Sequence, residues 1–260
     1  MDSLAKGMGN LMIAFEILES GQKAPPGWHK TTGHIIFDVK MDFTWKARWV
    51  KDDHKAPDLT TSSFACFVSW ESIRIGLTYA GLLRLPVIGG DIKNAYLQAP
   101  SSEKHFIVCG PEFGTENVGR VALIPRALYG GKVAGRDFWH YLHECMGWLG
   151  FTSSCADPDV WFRLLTRSTG KVYYEYVLLY VDNVLVISEQ ANSVLRKEIG
   201  KYWVLKEESI GPPSKYLGGK LQEVMVLNGV NAWAFGSSQY VQSAVKNVYE
   251  HLAKHGFKLP

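Results

Sequence analysis

The stretch that decides the fold is Val172-Tyr173-Tyr174-Glu175-Tyr176-Val177-Leu178-Leu179-Tyr180-Val181-Asp182-Asn183-Val184-Leu185-Val186-Ile187. The runs on either side of Asp182-Asn183 are rich in β-branched and aromatic residues, so both read as strands. The polar pair Asp182-Asn183 between them reads as a tight hairpin turn. An acidic turn at a sheet edge is, taken alone, ordinary solvated surface. A second element changes its weight. Upstream, Val87-Ile88-Gly89-Gly90-Asp91-Ile92 is a short strand ending in another aspartate. Two strand-borne carboxylates that converge meet the requirement for holding paired divalent ions in phosphoryl transfer, because such ions take hard oxygen ligands.

The composition sets the frame. The chain has 260 residues, 47% hydrophobic and 20% charged, enough for a sizeable core in one large domain or two or three subdomains. A net charge of +3 permits a nucleic-acid partner without requiring one. Cys66, Cys109, Cys145 and Cys155 make no Cys-x-x-Cys pair, which argues against a zinc site and for reduced thiols. No apolar run approaches the ~18 residues of a membrane span, and Met1 to Ala14 lacks the apolar core of a signal peptide. The expectation is an intracellular protein of cytoplasm or nucleus, not secreted, with no membrane partner.

Taken in order, Leu11 to Leu18 reads as a short helix broken by Ala24-Pro25-Pro26-Gly27. His34 to Val39 and residues 42–50 read as strands. Lys46 and Arg48, two apart on the second strand, share a face. They form either a solvated edge or a clamp for a triphosphate. Ser69 caps a helix over 70–84 with Ile73, Leu77, Ala80 and Leu83 on its apolar face. One helical turn follows Asp91. Pro100 to Lys104 reads as a loop, with short strands at His105 to Val108 and Val121 to Ile124. A helix from Val133 carries Phe138, Leu142, Cys145 and Leu149 on one face and closes at Gly150. Asp159 to Leu164 reads as a strand paired with 172–180, and Ala191 to Trp203 as an amphipathic helix. A strand at 216–222, a hairpin at Asn228-Gly229 and a final helix capped by Ser238, with Val241, Val245, Val248 and Leu252 on one face, complete the chain. This is an α+β order, unlike the regular strand–helix alternation of Rossmann or TIM architectures.

Several stretches together resemble the Ty1/copia-type retrotransposon reverse transcriptases. Asp91 with Asn94-Ala95-Tyr96-Leu97 resembles their first catalytic motif, and Tyr180-Val181-Asp182-Asn183 their Tyr-Val-Asp-Asp box. Lys46-Ala47-Arg48 is similar to the fingers Lys-Ala-Arg motif, and Leu128-Tyr129-Gly130-Gly131-Lys132 to Leu-Tyr-Gly-Leu-Lys. Gly150-Phe151 through Trp161 resembles the segment that follows, and Lys215-Tyr216-Leu217-Gly218 the Tyr-Leu-Gly turn of the primer grip. Each box is weak alone; six in order, from about residue 30 to 250, are specific.

The resemblance implies a right-hand polymerase fold with fingers, palm and a partial thumb. Its expected divisions are an N-terminal extension at 1–33, fingers at 34–90 with 100–130, palm at 84–99 and 131–225, and the start of a thumb at 226–260. It implies an RNA-directed DNA polymerase working on a primed RNA or DNA template and dNTPs with two Mg²⁺ ions, Mn²⁺ being the alternative. Asp91 and Asp182 would be the metal ligands. Lys46, Arg48 and the backbone of Ile92 would hold the phosphates. Tyr96 would stand against the sugar, its alternative being ordinary core packing. Tyr216, Leu217 and Gly218 would grip the primer. The chain is too short for the family's RNase H, protease and integrase regions, so the resemblance implies that it would be a fragment or a decayed copy.

Four positions depart from the family pattern. Asn183 stands where a third carboxylate is expected, and an amide offers a neutral oxygen in place of a charge. Gly131 replaces a leucine, and Val133 and Gly135 replace glutamine and proline. The readings left open are an impaired polymerase and a catalytically dead remnant that at most binds nucleic acid. A cyclase-type palm, suggested by Gly89-Gly90-Asp91, would need Glu-Phe where Ile92-Lys93 stand.

Overall fold

Runs of β-branched and aromatic residues become strands here, and a few glycines decide how closely helices approach them. The computed structural model describes residues 9, 12–39, 45–52, 65–216, 219–226, 229–236 and 238–257. In chain order the strands are β1 (Glu16–Ile17), β2 (His29–Lys30), β3 (Gly33–Val39), β4 (Trp45–Lys51), β5 (Val87–Asp91), β6 (Pro100–Val108), β7 (Val121–Arg126), β8 (Thr152–Ser153), β9 (Val160–Thr166), β10 (Val172–Tyr180), β11 (Asn183–Ile187), β12 (Lys215–Tyr216), β13 (Gly219–Val226) and β14 (Val230–Gly236). The helices are α1 (Trp70–Leu83), α2 (Ala95–Gln98), α3 (Ala134–Trp148) and α4 (Ser238–Lys254). The class is mixed α+β, as the element order implies. The chain divides into two units, one made of residues 1–66 and 94–148 and the other of 67–93 and 149–260.

In the first unit β1-β7-β6-β2 form one sheet and β3-β4 a separate hairpin. The core between them is aromatic. Phe15 meets Trp49 and Phe113 edge-on, with ring centroids 5.4 and 5.0 Å apart, among buried Leu97, Ile107 and Ile124. Two expectations are corrected here. Leu11 to Leu18 is not a helix: Met12–Ala14 is a 3₁₀ turn and Glu16–Ile17 a strand, while Leu11 lies outside the described residues. Pro100 to Lys104 is strand rather than loop, continuous with His105 to Val108 across a register shift. Between Pro100 and His105 the strand carries four residues against the single Pro125 of β7, so the extra residues break the alternation in the sequence while the strand persists. Gly130 has φ +85, and a Cβ there would lie 2.4 Å from the Lys51 carbonyl oxygen, so no other residue fits. That approach lets the Lys51 N–H donate to the Tyr129 carbonyl at 2.8 Å.

The second unit is built on the sheet β5-β11-β10-β9-β8, antiparallel throughout. Val184, Leu185, Val186 and Ile187 of β11 are all fully buried, because this strand lies between β5 and β10 and is covered on both faces. A strand buried on both faces reads as an unbroken apolar run, as this one does. On one face lies α1, with Ile73, Leu77 and Ala80 buried. At Gly76 an added Cβ would lie 3.0 Å from Ile187 Cδ1, so the helix rests directly on the sheet. On the other face lies the helical stretch 191–201, wound as a π-helix over Val194–Glu198. There, an added Cβ on Gly90 would lie 2.7 Å from Leu195 Cδ2. Gly76 and Gly90 thus set the thickness of this unit from above and below. The sheet β12-β13-β14 adds Tyr216 and Leu221 to the same core, and Trp70 packs edge-on to Phe235 at 4.3 Å.

Two helix expectations change. Leu83 of α1 is not buried but 37% exposed. In α4 the expected apolar face is not covered: Val241, Val245 and Val248 are each about half exposed.

Polar groups hold the start of α1. Ser69 is its N-cap, and its Oγ accepts from the Ser72 N–H at 3.2 Å. Asp157 Oδ2 accepts from the Ser69 N–H at 2.9 Å and from the Ser72 hydroxyl at 2.6 Å. Burial pushes the Asp157 carboxyl up, but these hydrogen bonds outweigh it and hold the group below the usual aspartate value. A depressed native pKa contributes stability that is present above the unfolded value and lost as pH falls through the native one. Asp157→Asn is therefore expected to lower stability by about 1–2 kcal/mol at pH 7. Urea denaturation at pH 7 and again below about pH 4 checks this, and the gap between the two proteins should narrow at the lower pH.

Candidate active site

The hairpin β10–β11 closes on the pair Tyr180↔Asn183. The two turn residues are therefore Val181 and Asp182, not Asp182-Asn183, and this corrects the turn by one position. Val181 has a positive φ of 51. A β-branched residue pays a steric cost at positive φ, so local preference did not choose this turn. The four buried residues that follow did. A slip of one residue would rotate each of them to the opposite face of the sheet.

This register carries Asn183 into β11, where it pairs with Asp91, the last residue of β5. Directly opposed side chains on antiparallel strands share a face, with Cβ atoms about 5 Å apart. The Asn183 amide Nδ2 also donates to Asp182 Oδ1 at 3.1 Å. One asparagine thus stands opposite one aspartate and hydrogen-bonds the other. All three side chains are half-buried. Among the described residues no group of three or more His, Cys, Asp or Glu side chains could hold a metal ion.

Asp91 has a further neighbour that the sequence pattern did not single out. Lys206 Nζ lies 2.6 Å from Asp91 Oδ1. The segment carrying it runs along the free edge of β5. Lys93 N–H donates to Val204 O at 2.9 Å, Lys206 N–H to Asp91 O at 2.9 Å, and Gly89 and Gly211 exchange bonds of 2.8 and 3.1 Å. Between them, Asp91 N–H donates to Ser209 Oγ at 2.9 Å, and that hydroxyl donates to Lys206 O at 2.6 Å. Nothing in Lys206-Glu207-Glu208-Ser209, a polar run of low periodicity, signals this contact from 115 positions away.

The other expected site residues fall as follows. The Ile92 N–H, expected on a phosphate, donates to the Asp182 carbonyl at 2.7 Å, and the Ile92 side chain is fully buried. Tyr96 belongs to α2 in the first unit and packs between Tyr129 and Phe138, at centroid distances of 5.2 and 5.4 Å. Arg48, also in the first unit, lies 3.4 Å from Asp38 Oδ2. Lys46 pairs with Asp38 in the β3–β4 register, and its side chain lies outside the described residues. Tyr216 is buried in the second unit, its hydroxyl donating to Leu178 O at 3.3 Å, and burial pushes that hydroxyl far up. Leu217 and Gly218 lie outside the described residues.

Residues 23–251 match the model of the reverse transcriptase (RNA-dependent DNA polymerase) family. The chain belongs to that family. Among curated relatives it is 28% identical over 163 residues to the retrovirus-related Pol polyprotein from transposon TNT 1-94 of Nicotiana tabacum, covering 61% of this chain and 12% of that protein. It is 30% and 29% identical over 145 residues to the Pol polyproteins from transposons RE1 and RE2 of Arabidopsis thaliana, each covering 55% of this chain and 10% of the relative. The matched part of the chain spans only about a tenth of the length of these relatives. Its kinship is with copia-type reverse transcriptase domains, as the order of the sequence boxes suggested. Among the described residues no helix is long and apolar enough to cross a membrane.

For this reverse transcriptase domain the Asp182–Asn183 contact has a direct consequence. Asn183→Asp replaces an N–H donor with a charged oxygen facing Asp182. The hydrogen bond is lost, and a like charge is added next to two others. The substitution is expected to lower stability by about 1 kcal/mol in EDTA, measured by urea denaturation. Unchanged stability would show that the Asn183–Asp182 contact contributes nothing in the absence of metal.

Proposed function

We propose that this chain is the polymerase part of a copia-type retroelement and carries RNA-directed DNA synthesis, weakened by Asn183. The observation that carries the reading is the Asn183↔Asp91 register, because it brings the first-motif aspartate to the Tyr-Val-Asp-Asn turn from roughly ninety residues away. In this reading the five-stranded sheet of the second unit is the palm. The strands of the first unit belong to the fingers, and 226–260 begins a thumb.

The donor set fits a divalent ion. Asp91 and Asp182 supply two hard carboxylates and Asn183 an amide oxygen, the ligand chemistry that Mg²⁺ or Mn²⁺ takes. Bound there, such ions would supply charge neutralisation on the triphosphate and a lowered pKa for the primer 3′-hydroxyl. The remaining steps belong to the chain. Asp91 and Asp182 fix the position of the reacting groups at the end of a rigid sheet. Lys46 and Arg48 bind the triphosphate of the dNTP, Tyr96 excludes a 2′-hydroxyl by its bulk, and Leu217 with Gly218 holds the primer against its RNA or DNA template, anchored by the preceding Tyr216, which is buried in the core. The Ile92 N–H, bonded to the Asp182 carbonyl, holds the turn in place.

The second reading is a remnant that binds nucleic acid without extending it. Asn183 itself favours this reading, since a site with two carboxylates holds two divalent ions less well than a site with three. Primer extension on an RNA template with Mg²⁺ or Mn²⁺ separates the two. Weak extension is expected from the present chain, raised about tenfold or more by Asn183→Asp and abolished by Asp91→Asn. Template binding with no extension by Asn183→Asp would favour the remnant.

A further inference from the structure

We propose that Lys206 is a resident cation on Asp91 that competes with divalent ions for that carboxylate. The inference rests on Asp91 being a metal ligand, as proposed above, and goes beyond it to name a residue that sets how readily metal binds. An ordinary surface ion pair holds two flexible side chains together and is worth little. This pair differs because its backbone is fixed. Lys206 N–H donates to the carbonyl of Asp91 itself, while the Asp91 N–H and the Lys206 carbonyl are joined through the Ser209 hydroxyl. The isolated bridges Ile92↔Leu205 and Gly89↔Gly211 hold the segment to β5 on either side. The lysine is thereby presented to Asp91 whether or not any ligand is present, and most of the entropy of bringing the two together is lost already on folding.

Charge and geometry then set the competition. The ammonium sits 2.6 Å from Oδ1, so it occupies a lone pair that a metal ion would use. A divalent ion binds carboxylate oxygen at about 2.0–2.6 Å. Sharing Asp91 would place the two cations within several ångströms of each other in a half-buried site, where repulsion is stronger than in water. Asp91 and Asp182 carry two negative charges and Lys206 one positive, so the cluster presents a net charge of only −1 to an incoming ion. Asn183 is what makes this matter, since a third carboxylate would offset the lysine.

Mn²⁺ titration of the full chain, followed by electron paramagnetic resonance without nucleotide or nucleic acid, tests the proposal. Lys206→Met should bind Mn²⁺ about fivefold or more tightly than the present chain. Lys206→Gln, which removes the charge while keeping a polar end, should behave like Lys206→Met and stands in if the methionine variant folds poorly. Lys206→Arg keeps the charge and should stay near the starting affinity. Asp91→Asn should lose the site. Equal or weaker Mn²⁺ binding by both neutral variants, or binding by Lys206→Arg as tight as theirs, overturns the competition. If that occurs while Asp91→Asn still abolishes binding, the metal reading of Asp91 stands without it. Full Mn²⁺ binding by Asp91→Asn removes Asp91 as a ligand and overturns both.

Discussion

The pairing of β5 with β11 is the constraint on which the second unit depends. Five consecutive residue pairs, from Asn183↔Asp91 to Ile187↔Val87, join strands far apart in the chain. Once that ladder forms, β11 is closed on both edges and its four apolar residues need cover on both faces. Gly76 and Gly90 let α1 and Leu195 supply that cover at close range. The same ladder fixes which side chain stands opposite Asp91. Chemistry and core packing are therefore set by one register, and neither can shift without the other.

The polar end of this ladder is balanced differently from a site of three carboxylates. Asn183 hydrogen-bonds Asp182 where a carboxylate would repel it, and Lys206 neutralises part of Asp91. Both features relieve the crowding of negative charge that a metal site carries when empty. Relief of that kind stabilises the fold and, in the reading proposed above, weakens the attraction for a cation, so the two effects are opposite faces of one charge balance. The strained Val181 belongs to the same account. Its positive φ is tolerated because the buried run after it fixes the register, and the result holds Asp182 at the tip of a two-residue turn.

Much of this was legible in the residues. Strong local periodicity marked α1, α3 and the strands β9, β10 and β11, and the aspartates at the ends of two apolar runs marked the site. What escaped has physical causes. The β6 strand begins with polar residues and carries a register shift, so alternation fails over Pro100 to Lys104. The hairpin turn was misplaced by one residue because Asp-Asn is good turn chemistry and valine at positive φ is poor. The long-range ladder overruled that local preference. The valines of α4 have helical spacing, but spacing records what a helix can bury and not whether anything covers it. Lys206 was invisible for a different reason: its contact is made by an irregular segment at a sheet edge, and no short pattern encodes that.

The interleaving of the two units also sets an order of assembly. The first unit's segments end at residue 148, whereas the second unit's sheet begins with β5 and lacks β9, β10 and β11 until well after that point. A chain emerging from a ribosome therefore holds all of the first unit while β5 still lacks its neighbour. Closing a ladder across roughly ninety residues is slow, because the loop entropy is lost before the contacts form. Until Ile187 appears, β5 and the apolar face of α1 have no sheet to bury against. Over that interval the apolar faces of β5 and α1 stay uncovered on the growing chain, the kind of surface through which incomplete chains associate.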